Sequence, residues 1–276
     1  MSRVPNVTLH DGIEIPQLGF GVFQVPPDHT EKVVEQALEA GYRHIDTAAA
    51  YRNEKGVGSA VANSGIPRED VFITTKLWNS SQGFDTALET FGKSLGRLGM
   101  DYVDLYLIHW PVPSQDRFVD TWRAFERIHG EGRARTIGVS NFRIEDLERL
   151  EAETEIRPTV NQVELHPQMQ QRELRTWHEE HGIATEAWSP LAQGAVLGDE
   201  TIVSIARAHG KTTAQVILRW HLQLGNIVIP KSVTPQRIRE NLDLFDFELS
   251  TQEMDAVGAL DRGERIGPDP ATFALA

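Results

Sequence analysis

The 276-residue chain contains no cysteine. Disulfides, thiolate metal sites and cysteine nucleophiles are therefore excluded, and the absence suits a reducing cytosol. Nor is there any run of about 18 uninterrupted apolar residues, the length that crosses a bilayer, and the stretch 1–10 is polar with Pro5 inside it. The chain reads as cytoplasmic, with no membrane partner. Basic residues are also scarce: 27 Lys and Arg stand against 40 Asp and Glu, a net charge of −13. This disfavours a nucleic-acid backbone or an anionic membrane surface as the main partner.

What is present is ordinary for a soluble globular protein: 40% hydrophobic and 24% charged residues. No internal repeat or low-complexity linker splits the chain, so residues 1–276 read as one domain, and α/β barrels of about 250 residues do form single domains. Val7 to Leu9 and Ile13 to Ile15 flank Asp11-Gly12, the dipeptide best suited to a type I′ hairpin turn. From Leu18 onward, short apolar runs alternate with segments of helical periodicity, the signature of βαβ units. Candidate strands lie at 18–22, 44–46, 71–76, 103–109, 136–139, 159–163, 183–187 and 226–229. Eight strands, each followed by helix, predict a (β/α)₈ barrel preceded by a β-hairpin. Asp28 and Thr234 stand where N-caps are wanted. A further C-terminal helix over 249–260 opens on Ser250 with Glu253 three residues on, a capping box. After Asp261 a Gly- and Pro-rich tail is expected to pack loosely over one end.

A doubly wound open sheet is the architectural alternative, but it usually shows a glycine-rich fingerprint directly after a strand. Gly56-Val57-Gly58 comes nearest and lies inside a helical pattern, so it reads as a packing feature.

In a barrel the chemistry gathers at the C-terminal strand ends. Asp46 closes the second strand with Tyr51 in the loop beyond it, Lys76 closes the third and His109 the fourth. Taken singly, each has an ordinary structural role open to it: a cap, a loop aromatic, a rim charge, a core histidine. Together they make a different case. Lys76 ends the apolar run Val71-Phe72-Ile73, where a charge is costly without a partner, and Asp46 is the natural counter-ion. A phenol is a weak acid, with a reference pKa near 10, and a neighbouring ammonium lowers that value. Asp46 would hold Lys76, Lys76 would tune Tyr51, and His109 could bond the same substrate oxygen as Tyr51. Proton donation to a carbonyl that becomes an alcohol is the chemistry this quartet suits.

Those residues resemble the aldo-keto reductase superfamily over essentially the whole chain. The likeness is carried by Gly41-Tyr42-Arg43-His44-Ile45-Asp46-Thr47-Ala48, Leu105-Tyr106-Leu107-Ile108-His109-Trp110-Pro111 and Ile229-Pro230-Lys231-Ser232. Within the family the chain is most similar to the bacterial 2,5-diketo-D-gluconate reductase group, through Gly19-Phe20-Gly21-Val22-Phe23, Ile73-Thr74-Thr75-Lys76-Leu77-Trp78-Asn79 and Leu218-Arg219-Trp220-His221-Leu222-Gln223. The resemblance implies a (β/α)₈ barrel that binds NADPH without a Rossmann fold, holds no metal, and works as a monomer.

Position by position, it implies Tyr51 as proton donor, Lys76 and Asp46 as its tuning pair, and His109 as substrate orienter. Ser140, Asn141 and Gln162 match residues that bind the nicotinamide carboxamide, and Trp188 matches the aromatic that stacks on the nicotinamide. Ser189, Pro190 and Leu191 match a loop along the pyrophosphate, and Ile229, Lys231, Ser232, Val233, Arg237, Glu240 and Asn241 match the adenosine end. Elementary chemistry agrees at that end: a strand running into a helix opened by Thr234-Pro235 offers backbone donors to an anion, and Lys231, Ser232 and Arg237 could grip a 2′-phosphate. Phe23, Trp78 and Trp110, with Ala49 and Asn79 nearby, are expected to line the small-molecule carbonyl site. The loop of about seven residues after Trp110 predicts a shallow, open pocket.

Two other readings carry the same residues. A phosphosugar isomerase or aldolase would use Lys76 as a Schiff-base amine and the eighth-strand region as a phosphate site. A cofactor-sensing barrel without catalysis would leave the quartet without a purpose.

Overall fold

The structure, a computed structural model, describes residues 4–275. A two-stranded antiparallel hairpin, β1 (Asn6–Thr8) and β2 (Glu14–Pro16), opens the fold with Val7 opposite Ile15. Its turn differs from the expected two-residue type I′ form. Gly12 N donates to Leu9 O, Leu9 N donates to Ile13 O, and only Gly12 takes a positive φ, of 87°. This is a three-residue loop with a glycine bulge, in which Asp11 instead accepts from Ile13 N at 3.0 Å.

Eight parallel strands follow: β3 (Phe20–Gly21), β4 (His44–Asp46), β5 (Phe72–Leu77), β6 (Val103–Ile108), β7 (Ala134–Ser140), β8 (Val160–Glu164), β9 (Ala184–Trp188) and β10 (Ile227–Val228). Each pairs with the next in chain order. The ring closes between its first and last members, through a parallel bridge from Leu18 to Val228 and bonds from Gly19 N to Val228 O and Gly21 N to Pro230 O. Helices α1 (Pro27–Ala40), α2 (Glu54–Asn63), α3 (Phe84–Leu98), α4 (Phe118–Gly130), α5 (Ile144–Glu153), α6 (Arg172–Glu180) and the pair α7 (Glu200–His209) and α8 (Thr213–Gln223) lie between the strands. After β10 come α9 (Pro235–Glu240) and α10 (Thr251–Gly258). This is the (β/α)₈ barrel that the strand count predicts. No helix among the described residues is long and apolar enough to cross a membrane.

Helix ends correct some local expectations and support others. Asp28 sits in the first turn of α1, whose N-cap is Pro26 with Pro27 at N1, where a missing N–H costs nothing. Thr234 does precede α9 but makes no side-chain cap bond. The Ser250/Glu253 capping box forms in full. Gly58 is a packing glycine as read: a Cβ there would lie 1.9 Å from Leu98 O, so its absence lets α2 press against α3.

The largest apolar cluster lies between sheet and helices, with Trp122, Phe91, Phe125 and Trp220 among its buried members. A second cluster plugs the floor of the barrel, where Leu9 and Ile15 of the hairpin meet Phe72, Leu105, Leu107, Val160 and Ile227. Alternation along a strand sends every second side chain to the same face. Phe72, Thr74 and Lys76 therefore share the lumen, as do His44 with Asp46, Val160 with Gln162, and Ala184 with Glu186. The lumen is apolar at its floor and polar toward its mouth. Gly19 makes room in this layer, since a Cβ would fall 2.5 Å from His44 Nδ1.

Candidate active site

Lys76 is the penultimate residue of β5 and faces inward, wholly buried. Its Nζ lies 2.6 Å from Asp46 Oδ1 and donates to Thr47 O at 2.9 Å. Burial pulls the Lys76 pKa down, but the charge of Asp46 and the nearness of Tyr51 outweigh it, and the net direction is up. Lys76 is therefore an ammonium at neutral pH, which sets the Schiff-base reading aside because that chemistry needs a free amine.

Tyr51 ends the short 3₁₀ turn Ala49–Tyr51 that follows β4. Lys76 Nζ stands 5.2 Å from its ring centroid, and the rings of Phe23 and His109 pack at 5.1 and 5.7 Å. The expected lowering of the Tyr51 pKa is not the net result. Burial raises it, Lys76 pulls it back, Asp46 and Glu186 push it up again, and the phenol stands above its ordinary value. The sequence shows the ammonium but not how thoroughly the lumen excludes water.

His109 follows β6 and is held from both sides: its N donates to Leu77 O, and its O accepts from Asn141 Nδ2 at 3.0 Å. Burial, then the charge of Lys76, keep its pKa well below the usual imidazole range, so the ring is neutral. Its Nδ1 is buried without a partner among the described residues.

The pocket wall differs from the expected open one. Trp78 packs edge-on against His109 at 5.2 Å, and Phe273 of the tail lies 4.4 Å from Trp110 and 6.3 Å from Trp78. Asn79, expected to face substrate, is buried and donates to Leu275 O at 2.8 Å, so it anchors the tail instead. Ala49 is half-buried beside Tyr51, and Phe23 is 49% exposed. The tail is pinned a second time by Glu164, whose carboxylate accepts from Ile266 N and Gly267 N at 2.6 and 3.0 Å. A Cβ on Gly267 would lie 2.3 Å from the Trp188 ring. Phe273 and Glu164 escaped the sequence reading, since a Gly- and Pro-rich tail carries no periodicity to say where it docks.

The residues matched to the nicotinamide end converge on one another. Ser140 Oγ donates to Gln162 O at 2.7 Å, and Trp188 Nε1 donates to Asn141 Oδ1 at 2.8 Å. Asn141 takes the left-handed conformation at φ 64° that lets its side chain turn back over the strand end. Ser189, Ala192 and Gln193 are left-handed too, so the loop carrying Pro190 and Leu191 holds a tight, strained course. At the other end Ile229 is buried, Ser232 accepts from Thr234 N at 3.1 Å, and Asn241 is buried. Lys231 and Arg237 have no acidic partner among the described residues, Val233 is 49% exposed, and Glu240 accepts from Gln236 Nε2. Helix α9 has only six residues, so charge at this end comes from the two basic side chains more than from a helix dipole.

The Aldo/keto reductase family profile matches residues 17–262. An aldo-keto reductase of Mycolicibacterium smegmatis is 61% identical over 269 residues, covering 98% of each chain. A protein named methylglyoxal reductase DkgA, from Yersinia pestis, is 54% identical over 276 residues, with 99% of each chain covered. A crystal structure of a Gox0644 mutant in complex with NADPH superposes with a TM-score of 0.95 at 48% identity, over 99% of each chain. With the family's motifs at the mouth of an eight-stranded barrel and its profile over most of the sequence, the chain belongs to the aldo/keto reductase family.

Proposed function

We propose that this protein reduces aldehydes, ketones or dicarbonyls to alcohols with NADPH, and that Tyr51 is the proton donor. The observation that carries the reading is the buried stack of Asp46, Lys76 and Tyr51, with neutral His109 facing the phenol across the mouth. Bound NADPH would supply the hydride to the carbonyl carbon. Tyr51 would give its proton to the carbonyl oxygen, and His109 would hold that oxygen by a hydrogen bond. Lys76, kept charged by Asp46, would stabilise the phenolate left behind. Phe23, Trp78, Trp110 and Phe273 would wall the carbonyl from water.

The residues fit the cofactor. Gln162 Oε1 takes no hydrogen bond from the described residues and is not sealed in the core, so it is free to accept from a carboxamide. Trp188 offers a half-buried ring for the nicotinamide to stack on. Lys231 and Arg237, without an acidic partner among the described residues, suit the 2′-phosphate that separates NADPH from NADH, with Val233 as an apolar surface for adenine. Ser140, Asn141, the Ser189–Leu191 loop, Ile229, Ser232, Glu240 and Asn241 complete the binding set. The relative named methylglyoxal reductase points to small dicarbonyls as substrates. The protein would act as a monomeric, single-domain cytoplasmic enzyme.

The test is loss of NADPH absorbance with methylglyoxal, run beside NADH. Turnover with NADPH and a clear preference for it are expected, and Arg237→Ala should erode the preference while sparing NADH. No turnover of any carbonyl with either nucleotide would overturn the reading.

A further inference from the structure

Behind the quartet lies a carboxyl group that the proposed chemistry does not use. Glu186 sits mid-strand in β9, faces the lumen and is wholly buried. Its Oε2 accepts from Gln162 Nε2 at 2.8 Å, and the same nitrogen donates to Asp46 Oδ2 at 2.8 Å. β8 and β4 are not neighbours in the ring, so the second bond crosses the lumen. Both amide hydrogens of Gln162 are thus taken by carboxyl groups. Turning the amide over would set its oxygen against Asp46, which only accepts. The orientation is therefore determined chemically, and it leaves Oε1 as the atom of Gln162 that meets the mouth.

We propose that Glu186 is a positioning residue for the reduction, acting through Gln162 on the nicotinamide carboxamide and through the charge of the lumen on the Asp46–Lys76–Tyr51 stack. The inference rests on the function proposed above. Apolar residues usually fill the interior of such a barrel, and a carboxyl at this position is an expensive substitute. Its Oε1 has no hydrogen-bond partner among the described residues, and His44 Nε2 stands 3.7 Å from it.

The groups that face Glu186 determine its charge. Asp46 and His44 come from β4, Lys76 from β5 and Tyr51 from the turn after β4, while Gln162 on β8 and Ile227 on β10 do not titrate. Burial, then the charge of Asp46, raise the Glu186 pKa to about 8, and burial pushes that of His44 down to about 3. At neutral pH the lumen then holds one anion, Asp46, paired with one cation, Lys76. As rising pH ionises Glu186 a second anion forms, which holds the Tyr51 proton more tightly and makes the phenol a poorer donor.

The experiment compares wild type, Glu186→Gln and Glu186→Leu as full-length enzymes. It reads NADPH affinity by quenching of tryptophan fluorescence, turnover of methylglyoxal from pH 6 to 10, and melting temperature. Glu186→Gln keeps an acceptor for Gln162, so NADPH affinity should stay within about twofold of wild type, and the fall in turnover near pH 8 should vanish. Glu186→Leu strands one amide hydrogen of Gln162 and should weaken NADPH about fivefold, the worth of one lost hydrogen bond, with Glu186→Gln as the control that keeps the bond. Wild-type binding and turnover test the function itself. Where both are present, Glu186→Leu with wild-type NADPH affinity, or Glu186→Gln with an unchanged pH profile, would overturn the role given to Glu186.

Discussion

Lys76 Nζ and Asp46 Oδ1 stand 2.6 Å apart with neither side chain in contact with bulk water. A buried pair of this kind makes little net contribution compared with an apolar pair, yet losing one partner strands the other charge. Lys76→Met is expected to cost about 3–5 kcal/mol of folding stability, because among the described residues Asp46 then keeps only Gln162 as a donor. Adding Asp46→Asn to that variant should recover a large part of the loss. Denaturant titrations of the two singles and the double close the cycle, and strict additivity would mean the pair is not coupled.

Tyr51→Phe removes the acid without altering the ring packing on Phe23 and His109. Turnover should fall by about 10²–10⁴, with NADPH binding kept. Because burial holds the phenol above its ordinary value of about 10, the limb belonging to Tyr51 itself belongs above pH 10, separate from any change near pH 8. Near-normal turnover in the phenylalanine variant would end the assignment.

The tail should matter to substrate and little to cofactor. Phe273→Ala is expected to raise KM for methylglyoxal and larger carbonyls by about 3- to 10-fold, the worth of an aromatic contact, with a smaller effect on NADPH affinity. Asn79→Ala should act in the same direction by releasing Leu275. Unchanged KM values in both variants would show that Phe273 does not wall the pocket.

Stability should fall in mild acid. Burial pushes His44, His178 and His221 down to about 3, from an unfolded value near 6.5. Each is held neutral in the folded state, so its contribution is complete above about pH 6.5 and is lost as pH falls toward 3. Glu186 has the opposite sign: its contribution is complete below about 4.5 and is lost as pH rises through about 8. Melting temperature should therefore decline from pH 7 to pH 5. A rise over that range would show that these histidines are solvated.

The amino-acid sequence determined the barrel, because eight apolar runs separated by helical periods allow few other closed arrangements, and strand-end placement alone nominated Asp46, Tyr51, Lys76 and His109. It also determined that Lys76 needed a counter-ion and that Gly58 was a packing residue. What the local pattern does not hold is distance through space. The bond from Gln162 to Asp46 spans 116 positions, and the contact of Phe273 with Trp110 spans far more of the chain than any loop rule covers. Only the closed ring made Glu186 a neighbour of Asp46 and lifted the Tyr51 pKa, since the exclusion of water belongs to the whole lumen and to no single strand.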